Sequence, residues 1–254
     1  MLGAVLSLNL FAFFLVFARL GTAMMLMPGF GETNVAPRMR LVFALGLTLV
    51  VLPVVAQRLP RPPADGIGLF VLLGGEMVVG LFLGTVMRLM MAALQVAGSV
   101  AASEMGLSSV LAPDFASSQQ GAIAGSFLVV VALVLVFASN LHHLMLTGVL
   151  SSYGLFTPGE LPPFGDFADA ISHAVSRSFL IGIQMAAPFI VVGLLLSIGM
   201  GILSRLMPQV QIFFIVTPLQ ITLGLLVFAA VLAAIMAWFI SGFEDMLAAF
   251  TSPL

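Results

Sequence analysis

Residues 67–110 read IGLFVLLGGEMVVGLFLGTVMRLMMAALQVAGSVAASEMGLSSV, without a proline. As one helix, these about 44 residues would span about 66 Å, about twice the thickness of the hydrocarbon core of a membrane. The first half is strongly apolar, whereas the second half, from Ala92 onwards, is rich in small and polar residues. Lipid would solvate this second half poorly. The pattern therefore predicts a helix that bends, leaves the membrane or lies within a protein assembly.

The rest of the chain repeats this apolar character. Of its 254 residues, 61% are hydrophobic and 7% are charged, with a mean hydropathy of +1.25, whereas soluble domains carry about 25% charged residues. Unbroken apolar runs favour helices over the alternating strands of a barrel. We therefore predict an all-α membrane protein with about six long hydrophobic helices or hairpins. The other five runs cover residues 4–27, 41–56, 122–150, 179–203 and 210–240.

Several classes of function are excluded or disfavoured by composition. A net charge of −2 without a basic run argues against nucleic-acid binding, and the absence of Cys excludes thiolate metal sites and disulfides. No nucleophile motif, phosphate loop or dinucleotide fingerprint is present, so we predict neither an enzyme nor a cofactor. His142 and His143 are adjacent, which makes a poor metal pair on a helix. Packing is the favoured role for them, and an intramembrane enzyme built around them is the alternative.

Charged residues within the apolar runs are candidates for function. We predict that Glu76, Glu104 and Arg88 are buried. A carboxylate inside a membrane relays protons, binds a cation or pairs with a cation. Pairing is favoured because Arg19 and Arg88 also lie in apolar surroundings. A small-solute or proton-coupled secondary transporter that uses Glu76 or Glu104 is the alternative function, although the two halves show no convincing repeat.

Small residues at a spacing of four predict close approach of helices. Packing within the chain and packing against partners are both open. Residues 106–120 interrupt the helical pattern with Pro113. Because irregular backbone at membrane depth must be buried in protein or face water, their place after the polar half favours an internal loop over an interfacial one. The small pairs are Gly80 and Gly84, Gly121 and Gly125, and Ser197 and Gly201.

Essentially the whole chain resembles the FliR family of the flagellar type III export apparatus and its injectisome counterpart, SctT. The most specific feature is the turn Ser204-Arg205-x-x-Pro208-Gln209, followed by Phe213. Two departures are local: Pro113-Asp114 stands where the family more often has Asp-Pro, and Asn140-Leu141-His142 where it often has Asn-Gly-His. The stretches that carry the resemblance are 27–53, 106–161 and 183–226.

The resemblance implies a FliP-like helical part, residues 1–175, fused to a FliQ-like hairpin, residues 176–254, with a cytoplasmic tip at 204–209. It implies a structural pore or gate subunit that helps unfolded flagellar subunits cross the inner membrane. The implied location is the flagellar basal body, with part of the chain above the bilayer plane. The implied partners are several copies each of FliP and FliQ, FlhB, FlhA, the basal-body ring, unfolded flagellar export substrates and membrane lipid.

The resemblance also implies two sets of site residues. The loop 106–120 would plug the pore, and opening would be a shift between closed and open packings. The tip would contact partner subunits. The plug residues are Gly106, Leu107, Ser108, Ser109, Val110, Leu111, Ala112, Pro113, Asp114 and Phe115, and the tip residues are Ser204, Arg205, Pro208, Gln209 and Phe213.

Overall fold

A computed structural model describes residues 2–63, 65–107, 122–206 and 212–251. These residues form α-helices, one short 3-10 helix and connecting turns, with no strand among them, so the predicted all-α class is confirmed. The α-helices are α1 (Leu2–Leu26), α2 (Pro37–Val55), α3 (Gly66–Glu104), α4 (Ala122–Ala138), α5 (Leu141–Leu155), α6 (Phe164–Leu206) and α7 (Ile212–Thr251), and the 3-10 helix is Ala56–Arg58.

Among the described residues, four helical segments are long and apolar enough to cross a membrane, and a fifth span results if α4 and α5 count as one broken span. Helix α3 has 39 residues, α6 has 43 and α7 has 40. At about 1.5 Å per residue each is about 60 Å long, roughly twice the hydrocarbon thickness. The excess length that was predicted for the helix of residues 67–110 is therefore found in three helices.

The apolar run 122–150 forms two helices rather than one. Helices α4 and α5 meet at a bend of 77°. Asn140 lies between them in the left-handed conformation, with φ of 59°. Asn adopts this conformation more easily than most residues. The bend also brings the ring of Phe137 into a stack with that of His142, with 5.0 Å between the ring centroids.

Two other helices extend beyond the apolar runs that predicted them. Helix α6 begins at Phe164 and α7 ends at Thr251, whereas hydrophobicity alone placed these boundaries near residues 179 and 240. The added turns are more polar than the spans. The carboxylate of Asp166 lies in the first turn of α6, where its negative charge interacts favourably with the positive end of the helix dipole.

The chain divides into two compact units. Unit 1 comprises residues 1–89, 136–175 and 243–254, and unit 2 comprises residues 90–135 and 176–242. Helix α3 contributes its apolar half to unit 1 and its small and polar half to unit 2. The division of the chain into segments 1–175 and 176–254, which rests on resemblance, stays a prediction.

Within unit 1, glycines bring α3 close to α1. A Cβ atom on Gly80 would overlap the carbonyl oxygen of Arg19 and the hydroxyl of Thr22, and one on Gly84 would lie 2.7 Å from the Cβ of Leu26. Such separations are shorter than van der Waals contact. The first predicted small-residue pair therefore serves packing within the chain.

Within unit 2, the small and polar half of α3 packs on two helices. A Cβ on Gly98 would overlap the backbone of Gly125 in α4, and one on Gly182 in α6 would lie 2.8 Å from the carbonyl oxygen of Ala93. Close approach through small residues is typical of helix packing in membranes. One face of this half of α3 thus packs on protein, whereas Gln95, Ser99 and Ser103 on another face are exposed. Of the other predicted pairs, Gly201 has open space around it among the described residues.

Candidate functional site

A buried ion pair joins α1 to α3 in unit 1. The guanidinium of Arg19 donates from Nε to Oε2 of Glu76 at 2.5 Å and from Nη2 to Oε1 at 3.0 Å. Arg19 and Glu76 are 1% and 3% exposed. A two-point contact of this kind fixes the relative orientation of the planar guanidinium and the carboxylate. Of the alternatives for Glu76, the structure shows pairing with an arginine.

Helix α5 completes the surroundings of the guanidinium. Arg19 donates from Nη1 to the hydroxyl of Ser152 at 3.3 Å and from Nη2 to the carbonyl oxygen of Phe156 at 3.0 Å. Its Cζ lies 4.1 Å from the centre of the Tyr153 ring, which is cation–π geometry. Hydrogen bonds that satisfy the remaining donors are what a buried ion pair needs to be tolerated. Arg19 therefore joins α1, α3 and the end of α5.

The Glu76 carboxylate is positioned by the packing of α3 on α1. Gly80 lies four residues after Glu76, so both face the same side of the helix. The missing side chain at Gly80 lets the backbones of α1 and α3 approach. Beside the pair is a cavity of about 280 Å³, whose lining includes Arg19, Glu76 and Asp166. The arrangement is structural, because both carboxylate oxygens are engaged by Arg19.

Glu104 and Arg88, the other two predicted buried charges, are not fully buried. Glu104 is half-buried, and Arg88 is exposed, so the burial predicted for Arg88 is wrong in this chain. Side chains that are neighbours in the sequence point to different faces of a helix, and the faces of a long apolar helix differ in exposure. Hydrophobic sequence neighbours therefore did not indicate the environment of the Arg88 side chain.

The end of α3 is a second polar contact, within unit 2. The helix ends at Glu104, and Gly106 follows in the left-handed conformation with φ of 71°, which is a common way for a helix to end. The side-chain amide of Gln220 in α7 donates from Nε2 to the carbonyl oxygen of Glu104 at 2.7 Å. A residue 116 positions away thus satisfies one of the carbonyls that a helix end leaves without a partner.

The predicted plug and tip are described in part. Gly106 is buried and Leu107 half-buried, whereas residues 108–115 lie outside the described residues. Ser204 and Arg205 are exposed near the end of α6. Pro208 and Gln209 lie outside the described residues, and Phe213 lies in the first turn of α7. The roles of both sets stay predictions.

The two adjacent histidines pack against each other and against Phe137. The rings of His142 and His143 have centroids 4.2 Å apart, and Phe137 stacks on His142. No group of three metal-ligating side chains occurs among the described residues. Their position at the bend between α4 and α5 is consistent with the packing interpretation.

Sequence reasoning missed Ser152, Tyr153 and Gln220. Gln220 had a detectable signal, because it is a polar side chain inside the apolar run 210–240. Ser152 and Tyr153 had none, because their contacts depend on how α5 packs against α1. These contacts, like the ion pair, join helices to one another.

Fold and site together define an all-α protein with several apolar, membrane-crossing helices, in which a buried Arg19–Glu76 ion pair joins α1 to α3. The chain matches the family described as bacterial export proteins, family 1, over residues 10–246. It therefore belongs to this family, the FliR/SctT family of the type III protein export apparatus, and the resemblance found in the sequence is confirmed.

Individual relatives cover most of the chain. It is 35% identical over 237 residues to flagellar biosynthetic protein FliR of Caulobacter vibrioides. The aligned residues cover 93% of this chain and 94% of that protein. It is 32% identical over 229 residues to FliR of Bacillus subtilis, covering 88% and 87% of the two chains. It is 27% identical over 181 residues to Yop proteins translocation protein T of Yersinia pestis, covering 68% and 67%.

Proposed function

We propose that this chain is a structural pore or gate subunit of the flagellar type III export apparatus in the bacterial inner membrane. It contributes helices to the channel through which unfolded flagellar proteins leave the cytoplasm. The observation that carries the proposal is the match to FliR proteins along nearly the whole chain. The flagellar form is favoured over the injectisome form because the FliR proteins of Caulobacter vibrioides and Bacillus subtilis are more similar to the chain and cover more of it than the Yersinia relative.

The structure supports a place inside a protein assembly. Helices α3, α6 and α7 are each longer than a bilayer requires. The small and polar half of α3 packs on α4 and α6 through glycines. Large apolar side chains stay exposed along α6, among them Val191, Leu195 and Ile198. In our proposal, lipid covers part of this surface, and several FliP and FliQ copies cover the rest.

The proposed partners at the two predicted sites differ. The tip residues, including the exposed Arg205, contact FlhB or neighbouring FliQ-like tips on the cytoplasmic side. The loop that begins at Gly106 plugs the closed pore. FlhA and the basal-body ring surround the assembly, and unfolded export substrates pass through it.

The proposed role is not catalytic. Glu76, one of the two carboxylates that the transporter alternative could use, is held at both oxygens by Arg19. A carrier carboxylate has to exchange its partner during each cycle, and a buried two-point ion pair is costly to open. The energy for export would come from the proton-motive force and an ATPase held by other subunits.

The mass and composition of the native complex test the proposal. The tagged chain is extracted gently from its native membrane in mild detergent and analysed by native mass spectrometry. One copy of this chain together with several FliP-like and FliQ-like subunits is the expected result. A lone monomer or homodimer, under conditions that preserve a known gate complex, would overturn the proposal.

The plug is tested separately by deleting residues 108–117. We expect the deletion to raise the leak of small ions through the assembled complex without changing its composition. An unchanged leak in a complex of normal composition would show that the loop does not close the pore.

A further inference from the structure

We propose that a groove between α1 and the start of α3 binds one acyl chain of a zwitterionic phospholipid, whose headgroup carries a phosphate and an ammonium group. Phosphatidylethanolamine has this chemistry. The proposal goes beyond the export function and does not depend on it, since it requires only that the chain lies in a membrane. The lining residues of the groove are described residues of unit 1.

The groove is apolar along both helices. Its volume is about 480 Å³, roughly sixteen times the volume that one water molecule occupies in the liquid. Ordered water is disfavoured in such a groove, because a buried water needs polar partners. An acyl chain needs none and is therefore the better occupant. The side chains along the groove are Leu10, Phe11 and Phe14 of α1 and Leu69 and Leu73 of α3.

The surface around the groove is also apolar. Ile67 and Phe70, in the first two turns of α3, are 80% and 77% exposed. Helix α3 is long and apolar enough to cross a membrane, and a large exposed apolar surface of this kind marks contact with lipid or with another protein. The groove therefore opens towards lipid or a partner, and the charges at its end distinguish these two occupants.

Two opposite charges lie at one end of the groove. Asp65, the residue before α3, is exposed and lines the groove. Arg61 is exposed as well, and the two residues after it, Pro62 and Pro63, belong to the lining. A Cβ on Gly68 would lie 3.0 Å from the Cβ of Pro63, so Pro63 packs on the first turn of α3. This contact holds the segment that carries Arg61 beside the groove.

The N-terminus of α3 adds donors for a phosphate. The N–H of Leu69 bonds to the carbonyl oxygen of Asp65 at 3.2 Å, and the N–H groups that precede it in the helix have no acceptor within the helix. Gly66, the first residue of α3, lines the groove. Free N–H groups and the positive end of the helix dipole together favour phosphate. In our proposal the phosphate therefore lies between the start of α3 and Arg61.

Charge complementarity selects the class of lipid. The carboxylate of Asp65 favours an ammonium group and disfavours a second negative charge. A purely anionic lipid such as phosphatidylglycerol satisfies Arg61 but not Asp65, and an apolar helix of a partner satisfies neither. A zwitterionic phospholipid matches the apolar groove and both charges at its end.

Photo-cross-linking tests the occupant. The purified complex of this chain is placed in phosphatidylglycerol vesicles that contain a trace of phosphatidylethanolamine with a diazirine on its acyl chain, and mass spectrometry maps the cross-linked residues. Leu69 and Leu73 should be labelled several-fold more than Val50 and Val54, exposed apolar residues of α2. Unlabelled phosphatidylethanolamine should reduce this labelling more than an equal addition of phosphatidylglycerol does.

Two results of this experiment would overturn the proposal. Equal labelling of the groove and of α2 would show that only ordinary bilayer lipid covers both. An unlabelled groove would show that a partner subunit, and not lipid, occupies it. The measurement applies to the chain in whatever assembly it is purified, so its failure is distinguishable from a failure of the proposed export function.

Charge variants test the headgroup. Asp65→Asn should reduce the preference for phosphatidylethanolamine over phosphatidylglycerol by up to about fivefold, the range of exposed ion pairs, because the ammonium group loses its partner. Arg61→Gln should weaken competition by both lipids, since both carry a phosphate. Both side chains are exposed, so the thermal midpoint should stay as in the wild type. An unchanged preference in Asp65→Asn would overturn the zwitterionic assignment.

Arg58→Gln is the matched control. A Cβ on Gly154 in α5 would lie 3.2 Å from Nη1 of Arg58, so this guanidinium lies against α5. The substitution removes one positive charge close in sequence to Arg61 and should leave competition by both lipids unchanged. Equal effects of Arg58→Gln and Arg61→Gln would show that positive charge in general, and not a headgroup site at Arg61, attracts the lipid.

Discussion

Arg19 shows why a charged residue can be stable inside a membrane protein. Its guanidinium is bound to Glu76, Ser152 and the Phe156 carbonyl and lies over the Tyr153 ring. Desolvating two charges is costly, and an ion pair compensates for this only when geometry is good and the remaining donors are satisfied. These residues therefore stabilise one another, and the loss of either charged side chain leaves the other charge buried without its partner.

The first prediction concerns the Arg19–Glu76 ion pair. Glu76→Gln and Arg19→Met should each destabilise the assembled complex by about 3–5 kcal/mol, because each leaves a buried charge unpaired. The double variant Arg19→Met/Glu76→Met should recover most of the loss, since no buried charge remains. The thermal midpoint of the purified complex measures both effects. A double variant as unstable as the sum of the single ones would show that the pair does not act as a unit.

Asn140 is the second residue for which the structure makes a definite prediction. Its φ of 59° suits Asn and Gly, but costs about 1–2 kcal/mol for other side chains. Asn140→Gly should therefore keep the yield and thermal midpoint of the complex, whereas Asn140→Val should lower both.

Thr147→Val on the exposed face of α5 is the control for this substitution, because the Thr147 hydroxyl bonds to its own helix at Leu144. It should behave as the wild type. If Asn140→Val were as stable as Thr147→Val, the left-handed conformation would not be required at the bend.

Sequence could identify the members of the ion pair but not the pairing. Glu76 and Arg19 are visible as charges in apolar runs, yet 57 residues separate them, and Arg88 satisfied the same criterion. The structure distinguishes the two arginines by the faces on which they lie, since Arg19 is buried and Arg88 is exposed. Which face packs inward depends on helix pairing, which hydrophobicity along the chain does not specify.

At the scale of helices, glycines determine which surfaces meet. Gly80 allows α3 to pack on α1, whereas Gly74, six residues earlier on α3, has open space among the described residues where a methyl group would be added. Both were equally visible in the sequence. Only the structure separates a glycine at a close helix contact from one with open space, so small-residue spacing predicted a packing face without identifying its partner.

The third prediction compares these two glycines. Gly80→Ala should reduce the stability or yield of the complex, because the added methyl group would overlap the backbone of Arg19. The strain also disturbs the ion pair one turn away at Glu76. Gly74→Ala should be neutral or slightly stabilising, since alanine favours the helix by roughly 1 kcal/mol. Equal effects in a thermal unfolding assay would contradict close packing at Gly80.

Helix boundaries show where reading hydrophobicity succeeds. The apolar runs predicted α1, α2 and the lipophilic parts of α3, α6 and α7. They missed the first turns of α6, from Phe164 onwards, because that segment contains Asp166, Asp169 and His173 and is not lipophilic. They also missed the bend at Asn140, because the residues on both sides of it are apolar. Hydrophobicity reports solubility in lipid, whereas helix ends and bends depend on local hydrogen bonds and packing.

At the scale of the whole molecule, helix length and surface indicate the same environment. Helices α3, α6 and α7 are too long for a simple bilayer span. Exposed apolar side chains continue along α6 from Phe179 to Leu206. A subunit that completes its packing with other subunits accounts for both features, which is the arrangement we propose for the export apparatus.

The last prediction tests the partner contact at the predicted tip. Arg205 is exposed near the end of α6, and Arg177 is exposed 28 residues earlier on the same helix, about 42 Å away. If the tip binds another subunit, Arg205→Ala should lower export and motility by removing a charged contact, while the mass and yield of the complex stay normal. Arg177→Ala keeps the same change of side chain away from the tip and should leave export unchanged. Normal motility of the Arg205 variant with a normal complex would refute the contact. Equal losses of export in both variants would show that the loss of one positive charge, and not a contact at the tip, lowers export. Only a partner bound at the tip would distinguish two exposed arginines on the same helix.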